Sequence, residues 1–490
     1  MSLIRCAARS LVPVVVATLL AGCAVGPNYK RPSAATTDHF KNPVASTPTL
    51  PDQWWTLFND PVLNDLEAQV IVNNQNIAEA SAAYMQARAL VREDRSNLFP
   101  AIDATGGVTR SVTGSPGYVV GNTPTGTTGT GGATSGLVSG STKSTTYQLA
   151  ASTDWEIDVW GKLRRTLENA RDSAQGSAAD LANAELAAQS QLATTYLQLR
   201  GADAQRKILS DTEVAYARTL TITQNKYKVG VAARTDVLQA QSQLLSAQDQ
   251  EQAEILQRDQ YENAFAALVG KPASGFTVAA VDKWDIPSPQ IPSGLPSELL
   301  QRRPDIANAE RSMAAANANI GVEEANYFPA ITLTGSYGFL STAASTLFNQ
   351  AGLTKSVGGS LSQTLLDFGA RRAEVDQAKR AYDQAVASYR QTVLTAFQDV
   401  ENDLASADIY QKEFDLRRQN SEALDLTEKL TLNEYKAGTV DFTTVVVAQT
   451  AALTARLSLA QMRISQQTTA VTLITDLGGG WKMPDYTHYQ

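Results

Sequence analysis

Apolar and polar residues alternate along YQLAASTDWEIDV, residues 147–159. Tyr147, Leu149, Ala151, Trp155, Ile157 and Val159 share one face, and Gln148, Ser152, Asp154, Glu156 and Asp158 share the other. This is a strand pattern with one apolar face and aromatics near the ends; at about 3.3 Å per residue it is long enough to cross a bilayer. ITLTGSYGF repeats it, with Ile331, Leu333, Tyr337 and Phe339 aligned. A second period follows the first strand. From Gly161 to about Tyr227 there is no proline, and Leu163, Leu167, Ala170, Ala174, Ala178 and Leu181 recur at steps of three and four. The spacing predicts a coiled-coil-like seam, and as one helix the segment reaches about 100 Å, with Gly201 as a place to bend. Gly230 breaks it, and a second helix is expected from about Thr235 to Leu268.

The pattern occurs twice. SNLFPAI at 96–102 returns as ANYFPAI at 325–331, and residues 76–102 lie over 305–331 without a gap, at an offset of 229. Trp160-Gly161 matches Phe368-Gly369, and Tyr227-Lys-Val-Gly230 matches Tyr435-Lys-Ala-Gly438, both at 208. The difference of 21 falls in a Gly/Thr/Ser-rich insertion of the first copy, read as an exposed loop. The chain is therefore a duplicated unit of two strands and a long helical hairpin. Alternation alone also suits a soluble sheet, but each strand pair lies between helices and encloses a polar loop. Four strands cannot close a barrel, and lipid tolerates no open edge, so strands in a membrane require several chains to share one barrel.

The N-terminus says where such a barrel would reside. MSLIRCAARSLVPVVVATLLAGC carries Arg5 and Arg9, an apolar run from Leu11 to Leu20, then Leu20-Ala21-Gly22-Cys23. The first two features form a secretory signal; the ending resembles a bacterial lipobox. That resemblance implies cleavage before Cys23, a diacylglyceryl group on its sulfur and an acyl group on its new amine, with Ala24 directing the product to the outer membrane. Cys6 leaves with the signal, so the mature chain has no disulfide pair. No later segment is expected to reach the roughly 18 apolar residues that a membrane-spanning helix needs.

Composition mainly excludes. The formal charge of −8 argues against nucleic acid. The only histidines are His39 and His488, and Cys23 is committed to lipid, which removes Cys/His catalysis and the usual zinc sets. The glycine-rich stretch 121–140 fits neither a P-loop nor a dinucleotide turn. Glu323-Glu324 and Asp154/Glu156 read as solvated faces, and Trp54-Trp55 as packing residues of the N-terminal segment. No enzyme is expected, no metal, and no cofactor beyond the lipid on Cys23.

CAVGPNYKRP, LPDQWWTLFNDPVLNDL at 50–66, LPSELLQRRPDIANAE at 295–310, both FPAI junctions and the YKVG and YKAG tips resemble the TolC-like outer-membrane efflux factors, in the lipid-anchored NodT/OprM-type branch. The resemblance covers essentially the whole mature chain. It implies a mainly α fold with a transmembrane β-barrel: a homotrimer whose twelve-stranded barrel continues as a periplasmic α-helical barrel. The organisation it implies is a signal peptide at 1–22, an N-terminal anchor and equatorial segment at 23–64, a first repeat at 65–270, an equatorial linker at 271–300, a second repeat at 301–478 and a tail at 479–490. Strands are expected at about 100–113, 145–159, 329–341 and 355–367, and hairpins at 161–269 and 369–477. Implied partners are outer-membrane lipid, a periplasmic adaptor (membrane fusion protein) and an inner-membrane pump of the resistance–nodulation–division (RND) type.

Members of this family narrow their tunnel at the helix tips. Asp236 matches the acidic position of the first tip, with Arg234 and Asp441 as charged company and Gly230 and Gly438 as the tip glycines. Asp236-Val-Leu-Gln239 also reads as a helix start, so gate and cap both stand, and one residue can serve as both. The second tip has Thr443-Thr444-Val445-Val446-Val447 where acidic residues are common in the family. The leading expectation is a passive exit duct for small molecules. Alternatives are a duct for type I protein secretion, one for heavy metals, and, in a different class, a structural coiled-coil lipoprotein of the periplasm.

Overall fold

The computed structural model describes residues 24–34, 39–41, 50–117, 138–281, 284, 288–289, 291 and 302–482. Cys23 with the signal, most of the glycine-rich loop, residues 292–301 and His488 lie outside the described residues. A 3-10 turn at Trp54–Phe58 precedes α1 (Pro61–Asn73) and α2 (Gln75–Ser96). Then come β1 (Asp103–Gly117), β2 (Val138–Glu156), α3 (Lys162–Lys228) and α4 (Arg234–Leu268). The second copy supplies α5 (Pro304–Ala325), β3 (Ala330–Ser341), β4 (Leu353–Ser362), α6 (Ala370–Ala437) and α7 (Phe442–Asp476).

The duplication is visible in these bounds. α2 starts at 75 and ends at 96, and α5 starts at 304 and ends at 325, each 229 later. α4 runs from 234 to 268 and α7 from 442 to 476, each 208 later. Gly201 does not interrupt α3: it lies where α3 meets α7, and a Cβ there would run into the Ile464 side chain and come within 3.6 Å of Trp284. Its role is close approach, not bending.

The chain divides into two compact units. One holds Met1–Asn28, Leu90–Ala170 and Asn317–Arg380 and contains the sheet. Its four strands are antiparallel in the order β1-β2-β3-β4, so the two repeats meet at the β2–β3 ladder, where Trp155 faces Leu333 and Leu149 faces Phe339. Among the described residues, the outer edges of β1 and β4 carry no further strand.

Several strand bounds differ from the sequence reading. β1 runs to Gly117 and β2 starts at Val138 because Ser/Thr/Gly-rich residues pair there without giving a hydrophobic period. β2 stops at Glu156, since Asp158 caps α3 instead, accepting from the Leu163 and Arg164 N–H groups at 3.0 Å each. β4 ends at Ser362 rather than 367. Arg371 ties the following turn, donating to the Thr364 carbonyl at 2.6 Å and to Asp367 at 2.6 Å, and Phe368 has a φ of 52°.

The second unit comprises Tyr29–Ala89, Arg171–Ala316 and Ala381–Gln490. Its largest core joins Phe40, Trp54, Trp55, Phe58, Leu63 and Val70 to Leu192, Tyr196, Phe265, Val400, Val471 and Ile474. Asp60-Pro61 explains the FNDP stretch: Asp60 accepts from Val62 N–H at 2.8 Å to start α1, Pro61 occupies the first turn, and the Tyr196 hydroxyl donates to the other Asp60 oxygen at 2.5 Å. Buried ions strap the linker onto the first hairpin. Arg200 donates to Ala279 O at 2.7 Å, Arg258 to Val278 O at 2.5 Å, and Asp203 bridges both arginines at 3.1 and 2.8 Å.

Two expectations about helices need correction. Of the seam expected on α3, Leu167 and Ala174 are buried, while Arg165, Asp172, Gly176 and Ala179 take the other buried positions. And α7 is long and apolar enough by composition to cross a membrane. Its apolar residues instead serve the hairpin, with Val445, Ala452, Met462, Val471 and Ile474 buried in the unit.

Candidate functional site

Each hairpin turns by the same backbone device. At the first tip Val231 N–H reaches back to Lys226 O at 2.8 Å and Gly230 N–H to Tyr227 O at 2.9 Å. At the second, Thr439 N–H reaches Glu434 O and Gly438 N–H reaches Tyr435 O, both at 3.0 Å. This Schellman closure needs a left-handed residue, supplied by Gly230 at φ 75° and Gly438 at φ 82°.

The following helices start with complementary halves of a capping box. In the first copy the N-cap is Ala233, which has no side-chain acceptor; Asp236 bends back to accept the Ala233 N–H at 3.1 Å. In the second copy the acid is the N-cap itself: Asp441 accepts from the Thr444 N–H at 2.8 Å and hydroxyl at 2.6 Å. These bonds hold the Asp441 carboxyl below its usual range. Ala233 corresponds to Asp441 and Asp236 to Thr444, so the acid has moved three residues between the copies. Both tips keep one carboxylate beside the turn, and the positive end of each helix dipole favours it there.

Between the tips lies a small apolar cluster of Ala240, Tyr435, Phe442 and Val445, flanked by Leu220, Ile222 and Leu432. Tyr435 is its centre. Its ring lies 5.4 Å from that of Phe442, its hydroxyl is 3.4 Å from Thr223 Oγ1, and Lys226 Nζ sits 4.0 Å from the ring centroid while donating to the Tyr435 carbonyl. Burial raises the Tyr435 phenol, the Thr223 hydrogen bond offsets part of that, and the Asp236 charge adds to it. Gln449 donates to Thr219 at 3.2 Å one turn further in. The hairpins are thus joined by Tyr435, which the sequence reading held only as part of the YKAG motif, and by Lys226, which stands one residue before the YKVG stretch and was not singled out. The matching Tyr227 points to solvent, a difference no local pattern announces.

The charged residues singled out in the sequence are not assembled into one ion cluster. Arg234 is exposed, and among the described residues Asp236 and Asp441 bond to their own helix starts rather than to it. Among the described residues, no group of His, Cys, Asp and Glu has the arrangement of a metal site.

Comparisons with known proteins agree with this geometry. The family model described as "Outer membrane efflux protein" matches residues 66–271 and 295–479, one segment per repeat. The chain is 30% identical to the probable efflux pump outer membrane protein TtgC of Pseudomonas putida, over 96% of each chain. It is also 30% identical to the pyoverdine export outer membrane protein OpmQ of Pseudomonas aeruginosa, over 88% of each. Among solved structures, the outer-membrane channel OprN superposes with a TM-score of 0.82 at 30% identity, covering 94% of this chain and 100% of that one. The open-state MtrE outer membrane channel of Neisseria gonorrhoeae gives 0.79 at 25% identity, covering 94% and 99%. With its strands at one junction of each repeat and its paired long hairpins, the chain belongs to the outer membrane efflux protein family and is an outer-membrane exit duct of efflux pumps.

Proposed function

We propose that three copies of this chain form one passive duct, gated at the hairpin tips, through which an inner-membrane pump of the RND type and its periplasmic adaptor discharge small molecules. The observation that carries the reading is the open sheet: β1 and β4 leave unpaired edges that only further copies can close in lipid. Three copies of four strands give the twelve-stranded barrel. The helices offer matching surfaces. Leu238, Leu245, Leu426 and Val447 are exposed in the single chain, and a groove of about 600 Å³ beside α6 and α7 is lined by Leu424, Val446, Val447 and Ala451 among others. The sequence carries neither a P-loop nor a dinucleotide-binding turn, and in this reading the energy comes from the pump. A relative named for pyoverdine export supports small-molecule cargo over protein.

Within that duct, Asp236 and Asp441 of each copy constitute the periplasmic ring, with Arg234 as its cationic neighbour, and Cys23 carries the lipid. Planar-bilayer recording of the purified protein tests the gate. Asp236→Ala raises single-channel conductance or open probability. Unchanged conductance assigns Asp236 to capping alone.

A further inference from the structure

The stretch AVGPN that follows Cys23 has a conformation no helix or strand accounts for. Val25 N–H donates to Trp160 O at 3.0 Å, and Ala24 lies so close to Gly161 that a Cβ there would be 2.8 Å from the Ala24 Cα. Gly26, at φ 98°, crosses α5 backbone to backbone: a Cβ on Gly26 would fall on the Gly321 Cα. Gly321 is itself constrained from the other side, since its own Cβ would stand 2.9 Å from Arg165 Cγ. Asn317 on α5 donates to Pro27 O at 3.0 Å.

Arg165 is the centre of this crossing. Its side chain is only 4% exposed, on the first turn of α3. Nε donates to Val25 O at 3.1 Å, and Nη2 to Gly26 O at 3.2 Å and Asn28 Oδ1 at 2.9 Å; Nη1 pairs with Glu168 at 2.7 Å. Three of its four partners are therefore on the leading segment, and a planar five-donor fork suits that set where a lysine ammonium does not. The place is the base of the sheet. Trp160 donates its indole N–H to Pro329 O at 2.9 Å and stacks on Phe328 at 4.7 Å, directly before β3.

We propose that Arg165 is the latch of the lipid anchor: it pins residues 25–28 across the start of α3 and the end of α5, fixing the point at which the acyl groups of Cys23 leave the protein beside the membrane edge of the sheet. This rests on the reading that Cys23 is acylated. Gly26, Gly321 and Asn28 are the shape that lets the latch close, which gives the GPN stretch a physical purpose.

The test uses cells fed labelled palmitate and the full-length protein in detergent, with trypsin at Lys30, an exposed residue between the lipid and the rest of the chain. In the native protein the label stays with the heat-labile trimer. Arg165→Met keeps the apolar stem and removes the fork; it is expected to release the label at least about tenfold faster while the trimer persists, since three hydrogen bonds to the segment are lost. Glu168→Gln removes the ion pair alone and retains the label. Asn28→Ala, which leaves Arg165 in place, releases it at an intermediate rate and serves if Arg165→Met yields no trimer. Release from Arg165→Met at the native rate, or equally fast release from Glu168→Gln, overturns the latch. Absence of label from the native protein overturns the acylation reading instead, and cleavage at Lys30, read by N-terminal mass, then still reports whether the segment is pinned.

Discussion

Glu67 has no exposed surface, neither of its carboxylate oxygens has a partner, and it lies on α1 among Leu63, Leu66 and Val70 of the main core. Burial pushes its carboxyl up to about 9, so it stays protonated in the folded chain at neutral pH. Unfolded, it ionises near the ordinary glutamate value. Between those two values the unfolded state binds fewer protons, so stability falls as pH rises, by roughly 1.4 kcal/mol per unit across the window. Glu67→Gln is therefore expected to raise thermal stability at pH 8 clearly more than at pH 5, as followed by melting of the detergent-solubilised protein. An equal shift at both pH values contradicts the assignment. Asp403 belongs to the same class: burial and the neighbouring Asp476 push it up to about 8, with Asp399 adding and Arg303 opposing.

One contact decides how α3 and α7 meet. Gly201 lets α3 lie against α7 at Ile464, so Gly201→Ala overpacks the crossing and costs about 1–3 kcal/mol. Ile464→Ala on that background is expected to recover part of the loss in thermal melts; strictly additive losses contradict direct contact. The helix ends were legible because the two repeats share them, as the α4 and α7 bounds show. The strand ends were not. Leu365, Leu366 and Phe368 look like a continuing apolar strand, yet Arg371 draws that segment into a turn, and Asp158 leaves the strand pattern to cap α3. In both places a single charged side chain overrides a hydrophobic period. The tip acids were legible by position, but the Tyr435–Lys226 link was not, because nothing in the YKVG and YKAG stretches tells which tyrosine turns inward, and Lys226 stands just outside its stretch. The Arg200–Asp203–Arg258 strap likewise joins residues far apart in the chain and leaves no periodic trace.

At the scale of the whole molecule, a single chain offers lipid an unfinished sheet and leaves apolar residues of its long helices exposed. In the proposed trimer, identical copies supply the partners that the β1 and β4 edges need in lipid. Cryo-electron microscopy of the detergent-solubilised protein tests this most directly. The account predicts threefold tubes in which β1 of one copy pairs with β4 of the next to complete twelve strands. Isolated single-chain particles, or an assembly that leaves those two edges unpaired, would contradict it.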